Sequence, residues 1–399
     1  MRQIGILGGG QLGLLLTESI YRLGGTVSIY DPDPAAPACK RTRNVLNKEW
    51  SNVIALGEFF KGCDAVTYEF ENVESGSLFG FDQEKPIVPS VKVLKTTQDR
   101  VLEKTFIKDA GLPHVDFAVI TNLDDFRSTA TSFGFPSIVK TARGGYDGKG
   151  QTALSSADDV EEFLSRQDPD TRECKLVLER QLEIGMEVSC IVARSPNGEE
   201  VCFPVLENVH ADHILDLTIA PARISAPLEM AVKEIALNAA RALDVHGLLT
   251  TEFFLSAKPG ANASGVNAAG WHIYINEFAP RPHNSGHITM KACTLSQFDV
   301  LARILLSIPI AEPTIIAPGY FCMANLLGDI WLSQGTDSLD LSTMVRYPEV
   351  VDVVLYGKEQ ARSKRKMGHL ITYAPSAQAA IDAARSFRGS LLRNSVATT

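Results

Sequence analysis

The first thirty residues alternate between apolar strands and an apolar helix. Residues 3–8 form a predicted buried strand, Leu14–Leu23 is a predicted helix, and Thr26–Tyr30 is a second predicted strand. Two strands joined by such a helix pair in parallel through a right-handed crossover. The chain therefore begins with an α/β domain, which we expect to end near residue 95 after a last short strand at Pro86–Pro89.

The turn between the first strand and its helix is rich in glycine. Gly8, Gly10 and Gly13 match the pattern G-x-G-x-x-G. Asp31 follows about 20 residues later, where a dinucleotide site keeps the acid that binds ribose. Taken alone, this segment favours an NAD-dependent oxidoreductase. A weaker interpretation is that the helix N-terminus at Gln11–Gly13 is presented to an anion.

Acidic residues follow another predicted strand of this domain. Asp64–Glu69 is the strand, and Glu71 lies two residues beyond its end. Open α/β sheets bind ligands at the edge formed by the carboxyl ends of their strands. Glu71 is therefore a candidate ligand contact, and a solvated loop position is the alternative.

A second glycine-rich stretch follows a buried strand that ends on a lysine. Phe135–Lys140 is the predicted strand, and four glycines then lie within seven residues, beside Arg143 and Lys149. Concave glycine backbone flanked by cations suits a polyphosphate, and Lys140 could hold a phosphate as a point charge. The stretch lacks the Gly-Lys-Ser/Thr ending of a Walker A loop. A surface hairpin is the alternative that the glycines alone leave open.

Two glutamates lie inside otherwise apolar strands of the central region. Gly247–Ser256 contains Glu252, Trp271–Phe278 contains Glu277, and the loop 257–270 between these strands is predicted to be mobile. A buried carboxylate is costly unless it is paired or binds a metal. Two carboxylates with Asn276 beside them suit Mg²⁺ that bridges phosphates. Salt bridges to nearby Lys or Arg side chains are the alternative.

Three further features contain candidate ligand contacts. Arg100 lies in the first turn of a predicted helix, where a cation opposes the helix dipole and indicates an external use. Arg281 lies between two prolines, which restrict its backbone and favour an ordered, substrate-facing loop. Lys358–Lys366 contains five cations in nine residues. This basic run is either a solvated face or a phosphate pocket.

Charge and cysteine usage argue against several classes of function. The net charge is −9, whereas a nucleic-acid-binding protein usually has a basic face. No window reaches 18 apolar residues, so we expect no membrane span. The seven cysteines are scattered without a Cys-x-x-Cys pair. Neither a zinc site nor a disulfide framework is indicated, and reduced thiols in the cytoplasm are expected.

Four motifs in order resemble the ATP-grasp superfamily and, within it, the N5-carboxyaminoimidazole ribonucleotide synthetase family. They are Gly-Gly-Gly-Gln-Leu-Gly at 8–13, Gly-Gly-Tyr-Asp-Gly-Lys-Gly at 144–150, Ala-Pro-Arg-Pro-His-Asn-Ser-Gly-His at 279–287 and Lys-Met-Gly-His-Leu at 366–370. The resemblance covers essentially the whole chain. The chain is also similar to the N-terminal part of fungal phosphoribosylaminoimidazole carboxylase. A mutase domain follows there, so we expect the natural chain to continue beyond Thr399.

The resemblance implies an α/β protein with the ATP-grasp fold, a Rossmann-like N-terminal domain and a small β-rich C-terminal domain. The expected domains are 1–95, 96–310 with a mobile lid at about 115–185, and 311–399, in which 391–399 resembles the start of a linker. The family is usually dimeric, which implies a homodimer. The resemblance also moves the first glycine turn from NAD to the substrate side.

The reaction that the resemblance implies joins 5-aminoimidazole ribonucleotide and bicarbonate at the expense of ATP. It passes through carboxyphosphate and gives N5-carboxyaminoimidazole ribonucleotide, ADP and phosphate in purine biosynthesis. Another ATP-grasp ligase, such as one joining formate to glycinamide ribonucleotide, is the nearest alternative. The NAD-dependent oxidoreductase and a non-catalytic nucleotide-binding regulator are the alternatives outside the ligases.

The resemblance also assigns residues of this chain to ligands. The ATP site comprises Arg100, Lys140, Gly145, Tyr146, Asp147, Gly148, Lys149, Gly150, Gln151, Glu179, Arg180, Gln181, Leu182, Glu187, His210, Asn276 and Glu277. The 5-aminoimidazole ribonucleotide site comprises Gln11, Leu12, Glu71, Tyr146, Asp147, Arg281, His283, Lys358 and Arg365. Glu252 and Glu277 would hold Mg²⁺. The catalytic candidates are Asp147, Arg281, Lys358 and Arg365, and no general base is identified. The choice of Arg365 over Arg362 and Lys366 stays open at this point.

Overall fold

The computed structural model of this chain describes residues 2–71, 73, 75–145, 150–168, 173–260, 263–335 and 338–393. Three sheets organise these residues, and each follows a distinct stretch of the sequence. Across these ranges, no helix combines the length and the apolar character needed to cross a membrane.

The N-terminal part is a four-stranded parallel sheet with the strand order β3-β2-β1-β4. Its strands are β1 (Gln3–Leu7), β2 (Thr26–Tyr30), β3 (Val45–Leu46) and β4 (Ala65–Tyr68). Its helices are α1 (Gln11–Arg22), α2 (Val53–Lys61), α3 (Ser75–Leu78) and α4 (Val91–Thr97). β1 pairs in parallel with β2 and with β4, because each helical connection returns the chain in the same direction. The predicted strand-helix-strand start is confirmed.

The second sheet is antiparallel, with the strand order β5-β8-β6-β7. Its strands are β5 (Phe117–Asn122), β6 (Ser137–Thr141), β7 (Gln151–Leu154) and β8 (Glu173–Arg180). The helices of this stretch are α5 (Arg100–Asp109), α6 (Phe126–Phe133) and α7 (Ala157–Ser165). The side chain of Asp99 accepts hydrogen bonds from the backbone N–H groups of Val101 and Leu102. Asp99 therefore caps α5.

The third sheet has ten strands in the order β14-β15-β13-β9-β11-β12-β16-β18-β17, with β10 paired to β9. Its strands are β9 (Met186–Arg194), β10 (Glu200–Cys202), β11 (Leu206–Ala211), β12 (Ile214–Ala220), β13 (Gly247–Ser256), β14 (Val266–Ala268), β15 (Trp271–Ala279), β16 (Tyr320–Leu327), β17 (Val350–Leu355) and β18 (Lys366–Ala374). The loop 257–270 that we predicted to be mobile contains β14, which pairs with β15. Ser264 of that loop also exchanges backbone hydrogen bonds with His114. This part of the loop is therefore built into the sheet.

Helices cover the third sheet, and short 3₁₀ turns connect the elements. The helices are α8 (Ala226–Ala242), α9 (Thr289–Ala292), α10 (Gln297–Leu305), α11 (Gly328–Gln334) and α12 (Ala377–Arg393). The 3₁₀ turns are Pro37–Lys40, Phe81–Gln83, Leu123–Asp125, Ser285–Ile288 and Ser342–Arg346. The prediction of a linker from Leu391 onward is wrong for its first three residues, because α12 continues to Arg393 and Leu391 is fully buried.

The main apolar core joins the N-terminal part to the third sheet. Leu15 and Leu16 of α1 belong to the same buried cluster as Leu301 of α10 and Leu248 of β13. This packing sets the carboxyl edge of the parallel sheet beside the β13–β15 hairpin, so residues from all three sheets can face one space.

Candidate active site

A cavity of about 850 Å³ opens where the three sheets meet. Twenty of the predicted site residues line it: Gln11, Leu12, Glu71, Arg100, Lys140, Gly145, Gln151, Glu179, Arg180, Gln181, Leu182, Glu187, His210, Glu252, Asn276, Glu277, Arg281, His283, Lys358 and Arg365. Gly150 is not among the lining residues; its φ of +73° suits glycine at the turn into β7. Tyr146, Asp147, Gly148 and Lys149 lie outside the described residues, so their roles stay predictions.

A buried glutamate holds the lysine at the end of β6. The Nζ of Lys140 lies 2.8 Å from Oε2 of Glu179, and the Nζ of Lys104 lies 3.5 Å from Oε1 of the same carboxylate. Burial opposes ionisation of Glu179, but the two lysines and Arg100 lower its pKa to about 2. The resemblance gave Glu179 only a backbone contact with adenine. Its side chain orients Lys140 at the cavity wall, where a phosphate would meet the ammonium.

Arg100 and Asn276 present buried polar atoms that have no protein partner. The Nη2 of Arg100 lies 3.4 Å from Oε2 of Glu277, whereas its Nε and Nη1 are buried without a hydrogen bond. The Oδ1 of Asn276 is also buried and unpaired. Leaving such groups unsatisfied is costly. The two free donors indicate an anionic ligand and the free oxygen indicates a cation, both beside Glu277.

The two acids of the β13–β15 hairpin lie directly opposite each other in register. Oε1 of Glu252 lies 2.9 Å from Nε2 of His283, and Arg100 is the partner of Glu277. Among the described residues, no three His, Cys, Asp or Glu side chains come together as a metal site. Two carboxylates and the free amide oxygen of Asn276 nevertheless fit Mg²⁺, which usually takes one or two carboxylates and completes its shell with phosphates and water.

The predicted ribose contacts lie where β9, which carries Glu187, pairs with β11, which carries His210. The Nδ1 of His210 lies 2.9 Å from Oε2 of Glu187. Burial lowers the pKa of His210, but the contact with Glu187 and the charges of Glu187 and Glu252 together outweigh it, and the net shift is upward. At the tip of the β11–β12 hairpin, Nδ1 of His213 is 3.3 Å from Nε2 of Gln151. His213 was not predicted, since nothing in the sequence distinguishes it from an ordinary turn residue.

The predicted substrate residues gather at the other end of the cavity. Arg281 forms an ion pair with Glu71, and its buried Nε has no partner. The Nζ of Lys358 donates to Oε1 of Gln11 and to the carbonyl oxygen of Lys366, each at 2.6 Å. Burial, with nearby Arg365 adding to it, lowers the pKa of Lys358 to about 8. These contacts join the C-terminal basic run to the first turn of α1.

The structure sets Arg362 apart from the other two candidate cations of the basic run, Arg365 and Lys366. Arg365 and Lys366 line the cavity, and Nη1 of Arg365 donates to the carbonyl oxygen of Gln360 at 2.7 Å. Arg362 is not a lining residue and donates to the side chain of Gln360 at 3.1 Å. The geometry therefore favours Arg365 over Arg362 for contact with a ligand.

Internal carboxylates already occupy the first glycine turn. Glu69 accepts from the N–H groups of Gly10 at 2.5 Å and Gly13 at 2.8 Å, and Asp31 accepts from Gly9 at 2.6 Å. A dinucleotide would place its pyrophosphate on these same groups. Because the turn holds two carboxylates of its own, the NAD interpretation does not hold at Gly9, Gly10 and Gly13. In the weaker interpretation, a helix N-terminus at Gln11–Gly13 presented to an anion, Glu69 takes the N–H group of Gly13; for Gln11 and Leu12 it stays a prediction. Glu69 was not among the predicted site residues.

Three family models match successive parts of the chain. Residues 1–98 match the ribonucleotide synthetase preATP-grasp domain, residues 105–298 the ATP-grasp domain, and residues 322–383 the phosphoribosylaminoimidazole carboxylase C-terminal domain. The N5-carboxyaminoimidazole ribonucleotide synthase of Staphylococcus saprophyticus is 34% identical, with 92% of each chain covered.

Solved structures match at similar coverage. The ADP complex of an N5-carboxyaminoimidazole ribonucleotide synthetase has a TM-score of 0.86 and 33% identity, covering 97% of this chain and 96% of that one. An Aspergillus clavatus N5-carboxyaminoimidazole synthase, in complex with ADP and 5-aminoimidazole ribonucleotide, has a TM-score of 0.83 and 28% identity, covering 98% and 99%. The chain spans only 36% of a longer relative, the bifunctional purine synthesis protein purC/E of Dictyostelium discoideum, at 34% identity over 92% of this chain.

Proposed function

This chain belongs to the N5-carboxyaminoimidazole ribonucleotide synthase family of the ATP-grasp superfamily, and we propose that its cavity performs the ATP-dependent carboxylation of 5-aminoimidazole ribonucleotide. It is an ATP-grasp ligase of purine biosynthesis. The predicted family, fold class and activity are thereby confirmed. The interpretations as an NAD-dependent oxidoreductase and as a non-catalytic regulator are wrong. The same family membership argues against the nearest ligase alternative, which joins formate to glycinamide ribonucleotide.

One observation supports the proposal that the reaction takes place in this cavity. The two predicted ligand sites are not separate, because Arg100 and Glu277 line the same space as Arg281, Glu71 and Lys358. Bicarbonate that is activated by ATP at one end can therefore be used at the other without crossing bulk water. That arrangement suits a reaction whose intermediate is short-lived in water.

At the nucleotide end, Arg100 and Lys140 would contact the phosphates of ATP, under the loop at Gly145–Gln151. Glu187 and His210 would contact the ribose, and residues 179–182 the adenine. Glu252 and Glu277, with Asn276, would hold Mg²⁺. When bound, the ion would neutralise charge on the phosphates, while the buried cations position the γ-phosphoryl group; positioning and electrostatics supply most of the catalysis of phosphoryl transfer.

At the substrate end, Lys358 and Arg365 would grip the phosphate of 5-aminoimidazole ribonucleotide. Gln11, Leu12, Glu71 and His283 would line its path, with Tyr146 and Asp147 of the glycine-rich loop completing the site. The Nε of Arg281 is buried and unpaired, which supports a role in holding bicarbonate or the new carboxylate.

The proposed sequence has three covalent steps. A bicarbonate oxygen attacks the γ-phosphorus, and the bond to ADP breaks to give carboxyphosphate. Carboxyphosphate releases CO₂ and phosphate, and the exocyclic amine of the substrate then forms the new C–N bond and loses a proton. Arg100, Lys140 and Lys149 would offset the charge on the transferring group. No residue is assigned as the base that takes the proton.

We also propose a cytoplasmic homodimer. All seven cysteines are free thiols, which supports a reducing compartment. We further propose that this chain is fused to a mutase domain. The longer Dictyostelium relative, a bifunctional purine synthesis protein, supports such a fusion.

Phosphate release from ATP tests the proposed function. The measurement is made with Mg²⁺ and bicarbonate, with and without 5-aminoimidazole ribonucleotide. We expect strong stimulation by this ribonucleotide. Release that depends on bicarbonate but ignores the ribonucleotide would leave the ATP-grasp chemistry and reject the acceptor.

A further inference from the structure

The strand β15, which carries the proposed metal ligands Asn276 and Glu277, is bonded along its open edge by the helix α5. β14 pairs with β15 only over Trp271–Ile273. The register with β13 then shifts by one residue, so that Glu252 faces Glu277 while Phe253 faces Ile275. Asn276 is thus the extra residue of a β-bulge. Bulges next to active sites re-aim side chains, so what fixes this bulge also sets the aim of Asn276 and Glu277.

Two side chains of α5 supply the hydrogen bonds that a strand would supply on this edge. The Nζ of Lys104 donates to the carbonyl oxygen of Asn276 at 2.8 Å. The backbone N–H of Phe278 donates to Oε1 of Glu103 at 2.7 Å. Lys104 is fully buried and Glu103 is 3% exposed. These bonds therefore clamp the bulge on both sides of Glu277, out of contact with solvent.

The same ammonium reaches the second sheet. Nζ of Lys104 lies 3.5 Å from Oε1 of Glu179 on β8, and the other oxygen of Glu179 holds Lys140 at 2.8 Å. Lys104 thus contacts both β15, which carries Asn276 and Glu277, and the carboxylate that orients Lys140. Without its charge, Lys140 and Arg100 alone would balance Glu179, and the carbonyl oxygen of Asn276 would lose its donor.

We propose that Lys104 is a positioning residue that fixes the predicted metal ligands relative to the phosphate-binding Lys140. This inference rests on the proposed nucleotide and metal site but not on the identity of the acceptor. It differs from a purely structural role because its loss should weaken metal–nucleotide binding and spare the substrate end. Among the described contacts, Lys358 and Arg365 bond to Gln11, Lys366 and Gln360 rather than to α5.

The test compares Lys104→Met with a matched control, Lys108→Met. Methionine keeps the unbranched length and removes the charge. Lys108 lies one turn further along α5 and is exposed beside the ring of Phe117. We measure Mn²⁺ binding in the presence of ADP by electron paramagnetic resonance, and binding of 5-aminoimidazole ribonucleotide by calorimetry. Loss of a residue that supports metal ligands typically weakens metal binding by 10–100-fold.

We therefore expect roughly 10–100-fold weaker Mn²⁺ binding in Lys104→Met, with ribonucleotide binding within about twofold of the unaltered protein. We expect the Lys108→Met protein to match the unaltered one in both measurements. Wild-type Mn²⁺ affinity in Lys104→Met, or an equal loss at the ribonucleotide site, would overturn the proposal.

Lys104→Arg covers the case in which Lys104→Met does not fold. Arginine keeps the buried charge, but its planar fork cannot reproduce the two contacts of a compact ammonium. We expect a folded protein with weakened Mn²⁺ binding, and unchanged Mn²⁺ binding would count against the proposal. Because these measurements need no turnover, they stay informative even if the ribonucleotide fails to stimulate phosphate release and the proposed function falls.

Discussion

Nη2 of Arg100 lies 3.4 Å from Oε2 of Glu277, so the cation that we propose binds phosphate and the proposed metal ligand face each other directly. Glu277→Gln would remove the charge that both the metal and Arg100 require. We expect turnover to fall by more than roughly 100-fold, beyond the usual effect of a supporting residue, with the fold intact. Phosphate release stimulated by 5-aminoimidazole ribonucleotide is the readout, and circular dichroism checks the fold. Full activity at ordinary Mg²⁺ would refute the metal assignment.

Arg365 and Arg362 offer a matched pair within the basic run. Arg365 lines the cavity, whereas Arg362 contacts Gln360 outside it. A hydrogen bond to a charged group contributes about 1.5–3 kcal/mol. Arg365→Ala should therefore raise the KM for the ribonucleotide by roughly 10–100-fold, while Arg362→Ala leaves it unchanged. Steady-state kinetics at saturating ATP decides the matter, and a larger effect at Arg362 would reverse the assignment.

Lys358 should give the reaction an alkaline limit. Burial lowers the pKa of its ammonium to about 8. As the pH rises through that value, the free enzyme loses the positive charge that would bind the substrate phosphate. We expect kcat/KM for the ribonucleotide to fall above pH 8, because this ratio reports ionisation of the free enzyme. In Lys358→Arg the limit should move to higher pH; an unchanged profile would exclude Lys358 as its origin.

His369 should make the folded protein sensitive to acid. It is fully buried, and burial lowers the pKa of its imidazole to about 3. The unfolded chain, with an ordinary histidine pKa, therefore takes up a proton first as the pH falls below about 6.5. Stability present above that pH is lost progressively toward pH 3, by about 1 kcal/mol between pH 7 and 5.5.

The variant His369→Gln tests this dependence. It removes the titrating group but also disturbs the 2.8 Å contact with the hydroxyl of Tyr356, so its stability at neutral pH should fall. The informative quantity is the slope of unfolding free energy against pH in denaturant titrations from pH 7.5 to 5.5. We expect a shallower slope than in the unaltered protein. An equal slope would mean that His369 does not titrate on unfolding.

Local sequence signals predicted the elements and several site residues. Glu252 and Glu277 stood out because each interrupts an apolar strand, and strand pairing then places them opposite each other. Lys140 stood out because it ends a buried strand before a glycine-rich loop. In each case the signal lies within a few residues of the feature itself.

Contacts between distant segments could not be predicted in this way. Lys104 is one of several lysines near its helix, and its burial depends on β8 and β15, which follow about 70 and 170 residues later. Likewise, the three glycines of the first turn fit a pyrophosphate in sequence, but β4 brings the carboxylate of Glu69 to the N–H groups of Gly10 and Gly13. Sequence periodicity does not reveal which charged side chains pair with each other, since that pairing depends on the packed fold.

The third sheet runs unbroken from the β13–β15 hairpin to the C-terminal strands, because β12 pairs with β16 and β16 with β18. Residues 322–383, which match a family model of their own, are therefore not a module that could be excised. Cutting the chain before β16 would expose the backbone groups of β12 to water and to other chains. It would also separate Lys358 and Arg365 from the sheet whose strands β13 and β15 carry Glu252 and Glu277. The nucleotide end and the substrate end of the cavity thus lie on one continuous sheet, and the strand pairing of that sheet sets the distance between them.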